Sequence, residues 1–192
     1  MKFLGILLGV LLLLAASVAG IYNSLKSAEI NVAAQYGQIE NVRQRRADLI
    51  PNLVNTVKGY AAHEQATFTA VLEARAKATQ VVIDADHLDA VSLKRFSAAQ
   101  GELSSALGRL MAVSESYPEL KANENFLMLQ SQLEGTENRI AVERKRFNEL
   151  VNVYNGYIRH FPNNLFAQAF GFQRRAYFEA DKESEKAPNV SF

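Results

Sequence analysis

Residues 44–64 read QRRADLIPNLVNTVKGYAAHE, and the fold turns on what the chain does at Ile50-Pro51. A proline lacks the amide hydrogen that a helix needs and disfavours helical geometry at the residue before it, so the chain is expected to turn or kink there, with Asp48 as a cap. A reversal makes the flanking segments two antiparallel helices. A kink makes them one long helix and leaves a three-helix arrangement with a projecting arm. Both flanks carry helical spacing: Leu25, Val32 and Ile39 lie seven apart before the proline, and Leu53, Val57, Tyr60, Phe68, Val71 and Leu72 follow it.

The same period continues downstream. Phe96, Leu103, Leu110 and Tyr117 form a third row, and Phe126, Leu133, Ile140, Phe147, Tyr154 and Phe161 a fourth. DADHLDAVS, 84–92, supplies capping carboxylates ahead of the third segment, and Ser116-Tyr117-Pro118 closes it. Four amphipathic segments with short links predict an all-α chain, an antiparallel up-and-down four-helix bundle over residues 23–161. A length of 192 residues suits one core of ordinary size, and the scarcity of Pro (4) and Gly (10) suits helices. The near repeat NLVNTVKGY (52–60) and ELVNVYNGY (149–157) sets Gly59 and Gly156 at one offset, where close helix approach or a local bend is expected.

Toward the amino end, Phe3 to Tyr22 is an uncharged apolar run long enough to cross a hydrocarbon core of about 30 Å. Ser17-Val18-Ala19 resembles the small-x-small site of a cleavable signal peptide, but Ile21 and Tyr22 extend the run past that site, so residues 1–22 read as a retained transmembrane anchor. Lys2 is the basic flank expected to stay in the cytoplasm, with the bundle outside it. Beyond His160 the helical stripe ends. Residues 162–192 read as a short helix, started near Pro162 and stopped by Gly171, then an extended aromatic tail. Its aromatics are expected to fold back over one end of the bundle; an exposed patch of that size would bind a partner. Phe178, Val190 and Phe192 are the candidate partner-binding tail, because Val190-Ser191-Phe192 has the apolar-x-apolar form that strand-adding domains capture.

With 21 basic and 20 acidic residues the formal net charge is +1, which argues against a nucleic-acid partner. No cysteine is present, which excludes disulfides, thiolate metal sites and a cysteine nucleophile. His63-Glu64 is half of H-E-x-x-H, but the second histidine would be residue 67, which is Thr67. Asp84, Asp86 and Asp89 lack the glycine and the third ligand of a calcium loop, and no phosphate loop or serine elbow occurs. No cofactor, metal site or catalytic residue is assigned.

Polar residues break the apolar rows at Arg46 and at Thr136, Glu137, Glu143 and Arg144, and inward charges must be paired. Arg45 and Arg46 are therefore expected to meet Glu134 or Glu137, forming with Asp48 a structural polar layer that fixes helix register. The alternative is a hydrolase-like enzyme with a polar site around Arg46, His63, Glu134 and Glu137.

Across these positions the chain resembles the LemA family. The resemblance is carried by QRRADLIPNLVNTVKGYAAHE (44–64), NFLMLQSQLEGTENRIAVERKRFNELVNVYN (125–155), FPNNLFAQAFGF (161–172), YFEA (177–180) and the APNV-x-F ending (187–192). It implies a single-pass protein of the bacterial cytoplasmic membrane with its helical bundle outside the cytoplasm. Some members begin their mature chain with a lipid-bearing cysteine before the Tyr-Asn; Ile21 stands there, which leaves a protein anchor. The family offers no catalytic residues to transfer. Together these readings give a non-catalytic interaction or scaffold module, touching the bilayer through residues 3–22 and engaging an envelope protein, such as a membrane protease, or further copies of itself.

Overall fold

The chain does not reverse at Pro51. In the computed structural model, which describes residues 2–85 and 88–179, helix α1 (Lys2–Lys58) is continuous from the apolar run into the core, with Pro51 inside it. The reversal falls at Gly59–Glu64, where Tyr60 and Ala61 both donate to the Val57 carbonyl at 3.0 and 2.9 Å. α2 (Gln65–Gln80) leads back. α3 (Ala90–Val113) follows, then a single 3-10 turn and the short α4 (Pro118–Lys121), the long α5 (Glu124–Tyr157) and α6 (Asn163–Ala169). Among the described residues there is no strand, and the chain is all-helical.

Local chemistry sets the ends. Asp89 caps α3 by accepting from the amides of Val91 and Ser92 at 2.8 and 2.9 Å, and Asn123 caps α5 through the Phe126 amide at 3.0 Å. α6 stops at Gly171, whose φ of +78° favours glycine, with Phe172 N donating to Ala167 O at 2.9 Å and Gly171 N to Gln168 O at 3.3 Å. Gly59 follows the end of α1 and Gly156 lies in the last turn of α5. No side chain of another helix crowds either glycine, so the near repeat marks helix ends and not the close approach its glycines suggested. α5 ends at Tyr157, so Phe161 does not extend the fourth row and stands exposed beyond it.

Packing directions follow from pairs that cross between helices. Gln35 meets Glu143 and Arg46 meets Glu137, so α1 and α5 run antiparallel. Arg43 reaches Ala78 and Arg75 reaches Ala47, so α2 is antiparallel to α1 as well. Tyr36 packs on Phe96 and Arg46 reaches Ser104, which makes α3 parallel to α1. The apolar core is in two parts. The distal part, around Leu53, Val57, Phe68, Leu110 and Phe126, draws on all four long helices. The proximal part, around Leu25, Ile39, Phe96, Phe147 and Tyr154, lacks α2. At 16 residues α2 covers about 24 Å, against about 51 Å for the 34 residues of α5. Its place is taken by Ile83 and Leu88 of the α2–α3 link and by Phe178 of an extended segment after α6. In the helical head, the part of the chain from Asn23 onward, Arg43, Arg46, Gln100, Thr136 and Glu143 are buried polar residues near the middle.

Candidate functional site

The stretch around Pro51 is a clasp. A proline at 51 leaves the carbonyl of Ala47, four residues earlier, without its intrahelical donor. Arg75 of α2 supplies one, its Nε donating to Ala47 O at 2.7 Å. In return Arg43 of α1 donates through Nη1 to Ala78 O at 2.9 Å, one of the last-turn carbonyls of α2 that no helical amide reaches. Glu40 holds Arg43 for this, accepting from its Nε at 2.9 Å. Each helix thus aims an arginine at a carbonyl left open in the other. Neither Arg43 nor Arg75 stands out in the sequence, because the groups they satisfy are backbone atoms of a distant segment.

Beside the clasp lies an ion pair. Arg46 is 4% exposed and its Nη1 stands 2.6 Å from Glu137 Oε2, while Nη2 donates to Ser104 Oγ at 2.9 Å. Burial pulls the guanidinium below its ordinary pKa, and Glu137 opposes the shift. The Glu137 side chain is 50% exposed, and among the described residues Arg46 Nε has no hydrogen-bond partner. Glu137→Gln is therefore expected to cost only about 1 kcal/mol, since half of the carboxylate is already in water. Arg46→Met removes the buried charge together with its orphaned Nε and is expected to be neutral or mildly stabilising. Chemical denaturation of both variants checks the order, and a larger loss for Arg46→Met would mean that the pair is a net stabiliser.

The other residues assigned to this layer lie outside it. Arg45 and Asp48 are exposed, Asp48 accepting from Gln44 at 2.8 Å, and Glu134 is exposed and accepts from Gln130 at 2.9 Å. Helix rotation explains this: neighbouring positions differ by about 100° around the axis, so one of two adjacent arginines turns inward. Glu143, by contrast, is buried between α1 and α5. Gln35 donates to its Oε2 at 2.8 Å, and that hydrogen bond, helped by Arg146 and Arg139 against the cost of burial, holds its carboxyl below the usual range.

Residues 172–179 are gripped along α5. Asn155 donates to Arg175 O at 2.9 Å and accepts from Arg175 N at 3.0 Å; Asn148 does the same to Phe178, at 2.9 and 2.8 Å. The spacing is matched, since seven helical residues rise about 10.5 Å and three extended ones about 10 Å. Tyr154 Oη adds a bond to Gln173 O at 2.8 Å, and Arg175 pairs with Glu29 of α1 at 2.8 Å. Burial would raise the Glu29 pKa, but Lys26 and Arg175 outweigh it and lower it. Phe178 is 4% exposed among Phe96, Phe147 and the Arg144 guanidinium. It is a core residue and offers no free surface to a partner. Val190 and Phe192 lie outside the described residues, as do Asp86 and His87.

Of the residues named for a hydrolase-like site, Arg46 and Glu137 meet, but neither His63 nor the outward-turned Glu134 joins them. His63 is exposed in the turn beyond α1, with Arg46 about 18 Å back along the axis from Lys58. A cleft of about 590 Å³ between α1 and α5 is lined by Gln38, Arg45, Arg139 and Glu143 and does not include Arg46. Among the described residues no three His, Asp or Glu side chains converge as a metal centre requires.

Residues 35–192 match the sequence model of the LemA family. Similar proteins include magnetosome protein MamQ 2 of Paramagnetospirillum magneticum and magnetosome protein MamQ of Magnetospirillum gryphiswaldense, each 28% identical over 88% of this chain and 68% of its own length. Protein LemA of Metamycoplasma hominis is 26% identical over 75% of this chain and 62% of its own.

Proposed function

The chain belongs to the LemA family, and from that premise we propose that it is a non-catalytic interaction or scaffold module, an up-and-down four-helix bundle held upright on the outer face of the bacterial cytoplasmic membrane. The observation that carries this reading is the continuity of α1, one helix from Lys2 to Lys58 that is both the apolar span and the first core helix. With no linker between them, the head cannot tumble freely relative to the bilayer, and its far end stands about 54 Å above Tyr22. A rigid stalk suits holding a partner at a fixed height. The two-part core with buried, paired polar groups suits a fixed shape better than a substrate cavity. Relatives named for the magnetosome bear names of a structure and not of a reaction. On this proposal the amino terminus lies in the cytoplasm, with Lys2 as its basic flank, and the partner is an envelope protein, a membrane protease among the candidates, or a second copy.

Photo-crosslinking in intact cells tests this, with the crosslinker placed at exposed apolar positions Ile30, Val142 and Val153. Discrete crosslinked species that recur at neighbouring positions are expected. Monomer alone at every position would overturn the scaffold reading.

A further inference from the structure

The aromatics after α5 divide into two groups. Phe178 goes into the core, but a second group gathers around α1 where its apolar run ends. Tyr22 meets Phe170 edge-on at 5.2 Å between ring centroids and Phe172 at 5.8 Å, and Phe166 stacks on Phe170 at 6.4 Å. α6 packs directly on α1, and Val18 and Ile21, inside the apolar run, are partly covered whereas residues 3–17 are all exposed. Yet this group stays open on its outer side. Phe161 is 80% exposed and Leu165 60%, and Tyr22, Tyr157 and Phe170 are exposed as well.

Position decides what covers such a patch. When Phe3–Tyr22 fills a hydrocarbon core of about 30 Å, Tyr22 is at its outer boundary. Rings touching Tyr22 then lie within the headgroup zone, which extends about 5–7 Å beyond the core. Phe170 and Phe172 cannot be lifted into bulk water without breaking their contacts with α1. Through Tyr22, the last residue of the apolar run, the rings of Phe170 and Phe172 adjoin the end of the span. Tyrosines favour this boundary, as Tyr22 and Tyr157 would, and Arg159 and Arg174, both exposed, lie within two residues of Phe161 and Phe172, where lipid phosphates would pair with them.

We infer that α6, with its own Leu165 and the flanking Phe161 and Phe170, forms a collar seated in the outer interface of the phospholipid bilayer, giving the head a second membrane contact beside its span. This rests on the proposed membrane anchor. The collar braces α1 where it leaves the lipid, setting the tilt and rotation of the head.

The chain has no tryptophan, so single reporters read cleanly. Full-length Phe161→Trp, Leu165→Trp, Tyr60→Trp and Leu12→Trp variants are reconstituted in phosphatidylcholine vesicles carrying bromine at shallow or deep acyl positions. Quenching of the 161 and 165 reporters by shallow bromine at least two-fold above that of Tyr60→Trp at the far tip is expected, with Leu12→Trp quenched from the deep position. Quenching at 161 and 165 no greater than at Tyr60→Trp, with Leu12→Trp quenched, overturns the collar and leaves the anchor standing. A blue shift at 161 and 165 without quenching means that protein covers the patch and also overturns it. An unquenched Leu12→Trp overturns the anchor and the collar together.

Discussion

Phe178→Ala is expected to cost about 3–5 kcal/mol, the largest loss for any single side chain outside the helices among the described residues. Its ring closes the proximal core from the side that α2 does not reach, 5.1 Å from Phe147 and 5.8 Å from Phe96 between centroids, with the Arg144 guanidinium 5.1 Å above it. Among the described residues no strand pairs with the segment, so its attachment is the ring, the hydrogen bonds from Asn148, Tyr154 and Asn155, one backbone bond from Ala176 N to Leu88 O at 3.3 Å, the Arg144 bond to Glu179 O and the Arg175–Glu29 pair. Those bonds alone do not offset the ordering of the eight residues of 172–179, at about 1–2 kcal/mol of backbone entropy each. Removing the ring should therefore release the segment and uncover Phe96, Phe147 and Tyr154. For a chain of this size 1 kcal/mol moves the melting temperature by about 2–4 °C, so a fall of about 10 °C is expected for the detergent-solubilised protein. Proteolytic cutting between 172 and 179 should quicken in parallel. Phe178→Leu should recover most of the loss. An unchanged melting temperature in Phe178→Ala would show that the extended segment merely lies on the core.

That anchoring was only half legible in the sequence, and the reason is physical. Periodicity reports which face of a helix is covered, and Phe126, Leu133, Ile140, Phe147 and Tyr154 are all buried as their spacing of seven requires. Periodicity does not report how far a helix extends. α2 stops at Gln80 although nothing in its alanine-rich end forbids another turn, so the need for a substitute in the proximal core was invisible. Asn148 and Asn155 sit beside the apolar row at its own spacing, but an asparagine on a helix surface reads as a solvated residue. Only the extended chain laid along α5 reveals why two of them are seven apart. The ion pair was the most readable polar feature, because an arginine in line with Leu25, Val32 and Ile39 must point inward and needs a carboxylate. Which carboxylate depended on helix rotation, and Glu137 met Arg46 while Glu134 turned outward.

Pro51→Ala is expected to stabilise the protein by up to about 3 kcal/mol, and to make Arg75 dispensable in the same step. A proline within a helix costs about that much in a free helix, but here part of the cost is already offset by Arg75 at the Ala47 carbonyl. Arg75→Ala in the native background leaves that carbonyl orphaned beside a buried Ala47, a loss of about 2 kcal/mol for a bond from a charged donor. With alanine at 51 the chain regains the amide that Ala47 O lacked, and the same Arg75→Ala change should cost well under 1 kcal/mol. The four proteins of this cycle should give a coupling of about 1–2 kcal/mol, read as melting temperatures or denaturation midpoints. An equal penalty for Arg75→Ala in both backgrounds would mean that the arginine contributes by packing its stem, and that the proline has no part in docking α2. Coupling of the expected size gives Pro51 a definite role. It opens one carbonyl on an otherwise sealed helix, and the second helix is held in register by filling that opening while Arg43 returns the contact at Ala78.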